Sequence, residues 1–318
     1  MVKNKIKKRP EFTQTPEGFS KIFRISSSKK IEDKVIEKEI MNGEFVDNDG
    51  RKKRISVIYI GLQQDAYALL LFLILLAKIN VKKNSEELKI LKATDNCNAD
   101  IVKKLQYVIE PPDENDENSD LTNLLKVETN YKELILWFGL SYGSKNIKRI
   151  EKIIERLQIS SIKIIVKDME DHSVKKVYSN LFLWQSIVYK NRNQNKISIV
   201  FNPIAYLVLF SDIDFKSTVN LNIAMELSKK NVNKAILFYA ICDHLKFNDE
   251  RKFPLSALFS LWTQPAKSRQ TESFRRKFII ETLKEIEELS GGNFKFKIDK
   301  NDIITAKRTP DRKKLDKL

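Results

Sequence analysis

Twelve consecutive residues, "AYALLLFLILLA" at 66–77, contain no charged side chain, and Asp65 and Lys78 close the run at its two ends. Crossing a bilayer in helical form takes about 20 apolar residues, so this stretch is too short to span and predicts a helix buried on all sides. Ahead of it "ISVIYI" is a β-type run that leads through Gly61 into the helix. Further on, "YKELILWFGL" at 131–140 predicts a short apolar helix, broken by "SYGS" with Gly143 as the turn residue. In "KNIKRIEKIIERLQ", Ile147, Ile150, Ile154 and Leu157 recur at spacings of three and four, which places them on one helix face. Lys145, Lys148, Arg149, Lys152 and Arg156 fall on the other. "IKIIVKD" and "VKKVYSNLFLW" then predict two strands joined by the polar turn "MEDHS".

A similar order returns in the second half. "ISIVF" predicts a strand, followed by a helix opening on Asn202 as cap and Pro203 at its first position. An apolar helix over 232–245 comes next. In 254–262 the spacing of Leu255, Leu258, Phe259 and Trp262 marks the buried face of a short helix with Pro254 at its start. The polar, basic "TQPAKSRQ" connects to a long helix, "TESFRRKFIIETLKEIEELS", in which Phe274, Phe278, Leu283 and Ile286 are expected to face inward. Gly291 and Gly292 stop it. "NFKFKID" alternates apolar and basic positions and, with "IITAKR", predicts a second hairpin.

Helix, turn, helix and hairpin, found twice, predicts an α+β fold of two tandem winged-helix domains. The first covers 55–192 and the second 193–308, with a charged, partly disordered N-terminal arm over 1–54 and a short basic tail over 309–318. The segment "EPPDENDENSD" at 110–120 carries six carboxylates and two prolines and reads as a surface loop of the first domain.

Charge turns this pattern towards function. Over 318 residues the formal net charge is +16, and residues 251–318 hold 17 Lys and Arg against 9 Asp and Glu. Such an excess fits a nucleic-acid partner or an acidic membrane surface. A helix seated by its apolar face presents the opposite face to solvent, and a DNA major groove is wide enough to admit it. The two cysteines, Cys97 and Cys242, have neither disulfide nor metal-ligand spacing, and "MVKNKIKKRP" is not followed by an apolar stretch. Both point to a reduced, cytoplasmic protein.

Two tandem winged helices in a chain of this size, with "FGLSYGS" in the first and "SFRRKFIIETLKEIEEL" as the long helix of the second, resemble plasmid replication initiators, the Rep proteins that bind repeated origin sequences. The resemblance covers residues 55 to 308 at the level of architecture. It implies binding to direct repeats in double-stranded DNA at a plasmid origin, opening of an AT-rich segment, and recruitment of host replication proteins such as the replicative helicase and initiator. It also implies a homodimeric form that represses its own gene, as part of copy control. Carried onto this sequence, the DNA contacts are Lys145, Lys148, Arg149, Lys152 and Arg156 in the first domain and Lys267, Arg269, Gln270, Arg275, Arg276 and Lys277 in the second. Lys295, Lys300 and Lys307 would brace the backbone from the second wing. Gln270 and Arg275 are the candidates for base readout, because amide and guanidinium groups make paired contacts to adenine and guanine edges.

Catalytic chemistry finds little support. No Gly-Lys-Ser or Gly-Lys-Thr occurs, and the two histidines, His172 and His244, do not form a paired metal site. No enzyme, cofactor or metal is therefore expected. Two other classes would use the same charge: a transcription regulator bound to a palindromic operator, and an interaction protein that binds RNA or a membrane without sequence preference.

Overall fold

The computed structural model describes residues 12–16, 19–25, 35–46, 50–82, 126–180, 183–190, 195–201 and 216–309. The acidic segment 110–120, Cys97, the helix expected after Asn202 and Pro203, and the tail from 310 onward lie outside them.

In chain order the elements begin with strand β1 (Phe12–Pro16), a 3-10 turn (Phe19–Ile22), β2 (Val35–Val46), β3 (Lys52–Leu62) and α1 (Ala66–Lys82). Then come β4 (Lys126–Thr129), α2 (Tyr131–Trp137), α3 (Ser144–Gln158) and strands β5 (Ser161–Asp168), β6 (Val174–Asn180), β7 (Leu183–Lys190) and β8 (Asn195–Phe201). The remainder is β9 (Lys216–Asn220), α4 (Leu221–Lys230), α5 (Asn233–His244), β10 (Asp249–Pro254), a 3-10 helix (Leu255–Leu261), α6 (Arg269–Leu289), β11 (Phe294–Ile298) and β12 (Ile303–Arg308).

Two units have the same plan. In the first, the order is α1, β4, α2, α3, β7 and β8, with β5 and β6 inserted between α3 and β7, and the sheet order is β4-β8-β7. In the second, α5, β10, the 3-10 helix, α6, β11 and β12 do so, and the order is β10-β12-β11. Each has its first strand beside the last and a hairpin formed by its last two strands, which is the winged-helix arrangement.

The first wing is not the hairpin expected from the sequence. Strands β5 and β6 do pair, from Ser161 opposite Asn180 to Lys167 opposite Val174, but they extend a separate four-stranded sheet of order β2-β3-β5-β6. The wing is β7 with β8, from Leu183 opposite Phe201 to Lys190 opposite Asn195. That hairpin straddles the boundary expected at 192, and "ISIVF" closes the first sheet rather than opening the second domain. Alternation within a strand identifies its buried face and leaves its partner undetermined, so β5 and β7 were equally eligible.

The described part of residues 1–54 is built into the fold rather than forming an arm. β1 pairs antiparallel with β9, and β2 pairs along its length with β3. Phe19, Ile22, Phe23 and Ile25 are buried. The Phe23 ring meets Phe72 of α1 at 6.3 Å and Tyr239 of α5 at 5.8 Å, and so touches both units. Backbone bonds hold the same segment on two sides: Arg24 N–H donates to the Gln64 carbonyl at 3.0 Å, and Ile25 N–H to that of Leu261 at 2.7 Å. Asp243 of α5 adds a polar tie, accepting from the Ser20 backbone N–H at 3.2 Å, from the Ser20 hydroxyl, and from Ser217 Oγ at 2.8 Å. One continuous apolar core results. The apolar run 66–77 is its axis: every residue from Ala68 to Ala77 is at most 3% exposed. Among the described residues no helix is long and apolar enough to cross a membrane.

Candidate nucleic-acid interface

Each unit offers its third helix. α3 is seated by Ile150, Ile153, Ile154 and Leu157, with Ile147 partly covered. The turn before it is made at Gly139, whose φ of +70° suits glycine, while Gly143 is extended and serves as the helix cap. Lys145, Lys148 and Lys152 are exposed on the outer face, and none has a carboxylate partner among the described residues. Tyr142, in the turn, is 50% exposed beside them. The two arginines behave differently. The Arg149 guanidinium lies over the Tyr67 ring at 4.7 Å, and Arg156 donates to the Gln63 carbonyl at 2.7 Å. Both are half-buried and tie α3 to the segment around α1.

α6 is held by Phe278, Ile279, Thr282, Leu283 and Ile286 and capped by Ser268, whose side chain accepts from the Thr271 backbone N–H. Two neighbouring residues exchange the places expected for them. Phe274 is 65% exposed and Arg275 only 4%. The reason is helical phase: Arg275 lies seven residues, about two turns, before the fully buried Thr282, whereas Phe274 is rotated off that line. Inside, the Arg275 guanidinium stacks at 5.1 Å on Trp262 and donates to the Gln264 carbonyl at 2.7 Å. Burial holds its pKa below the ordinary guanidinium value. A side chain so engaged holds the connection before α6 in place and is not presented for base readout.

Lys267, Arg269, Gln270 and Lys277 are exposed at the start of α6. Lys267 and Arg269 have no carboxylate partner among the described residues, while Lys277 stands 3.9 Å from Glu281. Arg276 points elsewhere: its guanidinium makes a forked pair with Asp302 in the wing turn, with contacts of 2.7 and 3.0 Å. Asp302 has φ of 56°, and its carbonyl accepts from Leu255 N–H at 2.8 Å, so the pair joins helix, wing turn and 3-10 helix. On the wing Lys295 and Lys300 are exposed without a carboxylate partner among the described residues, and Lys307 lies 3.8 Å from Glu250 on β10.

Sequence reasoning missed Phe274 and Ser273 as exposed neighbours of Gln270 and Lys277. The signal was present in the periodicity of 275, 278, 279, 282 and 286, but an arginine at an inward position is discounted when apolar residues alone are counted. Arg308, only 2% exposed, was missed for the same reason. Its guanidinium donates to the carbonyls of Leu245 and Thr218 at 3.1 and 2.7 Å, between the rings of Phe247 and Phe294.

The chain is thus an α+β protein with two winged-helix units whose third helices carry exposed, mostly unpaired cations. No family model matches the sequence, and no curated protein matches it. Among solved structures, the crystal structure of selenomethionine derivatives of domains 2 and 3 of RctB is similar, with a TM-score of 0.47 and 11% identity, over 93% of this chain and 98% of that one. A second crystal structure of RctB domains 2–3 has a TM-score of 0.45 and 10% identity, over 95% of this chain and all of the other. At these values the likeness says nothing about what this chain binds.

Proposed function

We propose that the chain binds double-stranded DNA sequence-specifically through α3 and α6 and acts as a replication initiator at a plasmid origin. The observation that carries the reading is the twofold occurrence of a winged-helix unit with exposed cations on the outer face of its third helix. Lys145, Lys148 and Lys152 in the first unit and Lys267, Arg269 and Lys277 in the second supply phosphate contacts and the salt dependence that goes with them. Gln270, with Ser273 and Phe274 beside it, is the candidate for base contacts: the amide for an adenine edge, the ring for a thymine methyl. Lys295 and Lys300 brace the adjacent backbone from the wing. The resemblance to Rep proteins supports the finer reading of direct repeats, opening of an AT-rich segment and recruitment of a host helicase, in a cytoplasmic protein that is not an enzyme.

The test is footprinting of the full chain on fragments of its own replicon, with random DNA as competitor across a salt series. Protection of several direct repeats beside an AT-rich segment is expected, and Gln270→Ala should relax specificity there. A single protected palindrome bound by a dimer would instead identify a transcription regulator. Equal binding to every fragment would overturn sequence-specific recognition.

A further inference from the structure

Between the N-terminal segment, β2, α5, β10 and the 3-10 helix over 255–261 lies a cavity of about 370 Å³, whose lining includes none of the residues on the outer faces of α3 and α6. Among the described residues, its lining carries Lys21, Arg24, Lys38, Arg251, Lys252 and His244, and no carboxylate. Among the described residues, Arg251 is the one of these cations with an ion-pair partner, Asp249 at 2.6 Å. Lys38 and Lys252 have no hydrogen-bond or ion-pair partner among the described residues, and Lys21 reaches only the Ile40 carbonyl at 3.5 Å. Arg24 is the decisive member. It is 7% exposed, yet its guanidinium makes one bond, from Nη1 to the carbonyl of Phe23 at 2.8 Å, and meets no carboxylate among the described residues.

Burying a guanidinium without a counter-charge is costly, and gathering further cations around it adds repulsion. The strain is visible at Lys38, whose ammonium is pushed down to about 8 by burial and then by the Arg24 and Lys21 charges. An anion in the cavity relieves all of these costs together. We infer that this cavity is a binding site for a small molecule carrying two or more phosphate groups. The volume falls in the range of small-ligand pockets, and Phe253 and Leu258 supply an apolar wall for the rest of such a molecule. A duplex is the less suitable source of phosphate, because its backbone lies on a broad convex surface and Arg24 is more than nine-tenths buried. This inference does not rest on the proposed role in DNA binding.

Isothermal titration of the full chain with inorganic pyrophosphate tests it, alongside sodium sulfate at matched ionic strength. Saturable binding of pyrophosphate at one site is expected, weakened about tenfold or more by Lys38→Met, with a smaller loss for Lys252→Met. Lys252 is exposed, so the second variant folds whatever the first does. DNA affinity should be unchanged in both. Absence of saturable heat, or equal heat from sulfate, would overturn the site. Displacement of pyrophosphate by duplex DNA, with both variants losing DNA affinity, would overturn the assignment to a small ligand. Failure of DNA binding alone would leave the pyrophosphate result standing.

Discussion

Arg275 and Lys38 show how burial decides what a cation does. Both belong to a chain whose charge suggests an outward role, and both are drawn inward. Replacing Arg275 with alanine removes a charged donor from the Gln264 carbonyl and a stacking partner from Trp262. A stability loss of about 1–3 kcal/mol is expected, read as a lowered urea midpoint at unchanged slope, with any effect on DNA binding following from misfolding of the α6 entrance. Lys38 gives a pH signature. Its folded pKa of about 8 lies below the ordinary 10.5 that the unfolded chain keeps. Between these values the unfolded state holds the extra proton, so the Lys38 contribution raises stability with increasing pH across that window. Below about pH 8 both states are protonated and the contribution is constant and unfavourable. Lys38→Met should flatten the rise seen in denaturation midpoints between pH 8 and 10.5.

At the scale of elements, α3 and α6 are unequal. α3 offers three unpaired lysines on one face, whereas the outer face of α6 mixes Gln270, Phe274 and Lys277 with Glu281 and Lys284. α3 therefore suits backbone contact and α6 suits discrimination. Changing Lys145, Lys148 and Lys152 together to alanine should reduce the slope of log affinity against log salt by about 2 to 3, since each phosphate contact contributes about 0.9. Thermal stability should hardly move, because all three side chains are exposed and unpaired. The existence of both helices was legible in sequence, from the isoleucines of α3 and the phenylalanine, leucine and isoleucine spacing of α6. Their phase was less so: in α6 the period through 275, 278, 279, 282 and 286 carries it only if an arginine is allowed an inward position, where it stacks on Trp262. The strand β10 is not legible because "DERKFP" has charged residues at four of six positions, and it joins its three-stranded sheet only by pairing with β12.

For the whole molecule, the segment 19–25 is the joint. Sequence places it in a charged arm because its apolar residues are few and scattered, and a short segment with four buried apolar side chains has no periodicity to display. Its position makes a prediction of its own. Phe23 is fully buried between α1 and α5, so Phe23→Ala should cost about 3–5 kcal/mol. Because it touches both units, loss of near-UV signal and of helical signal should still coincide in a single unfolding transition. Separate transitions would show that the units fold independently.

The sequence by itself determined the α+β class, the buried α1, both third helices and the second wing, because each rests on a local period or on a cap and stop signal that neighbouring residues carry. Tertiary structure alone decided which hairpin became the first wing, where the N-terminal segment went, and which cations were turned inward at Arg24, Arg275 and Arg308. Those outcomes depend on pairing and burial between residues far apart in the chain, and no local pattern encodes the partner.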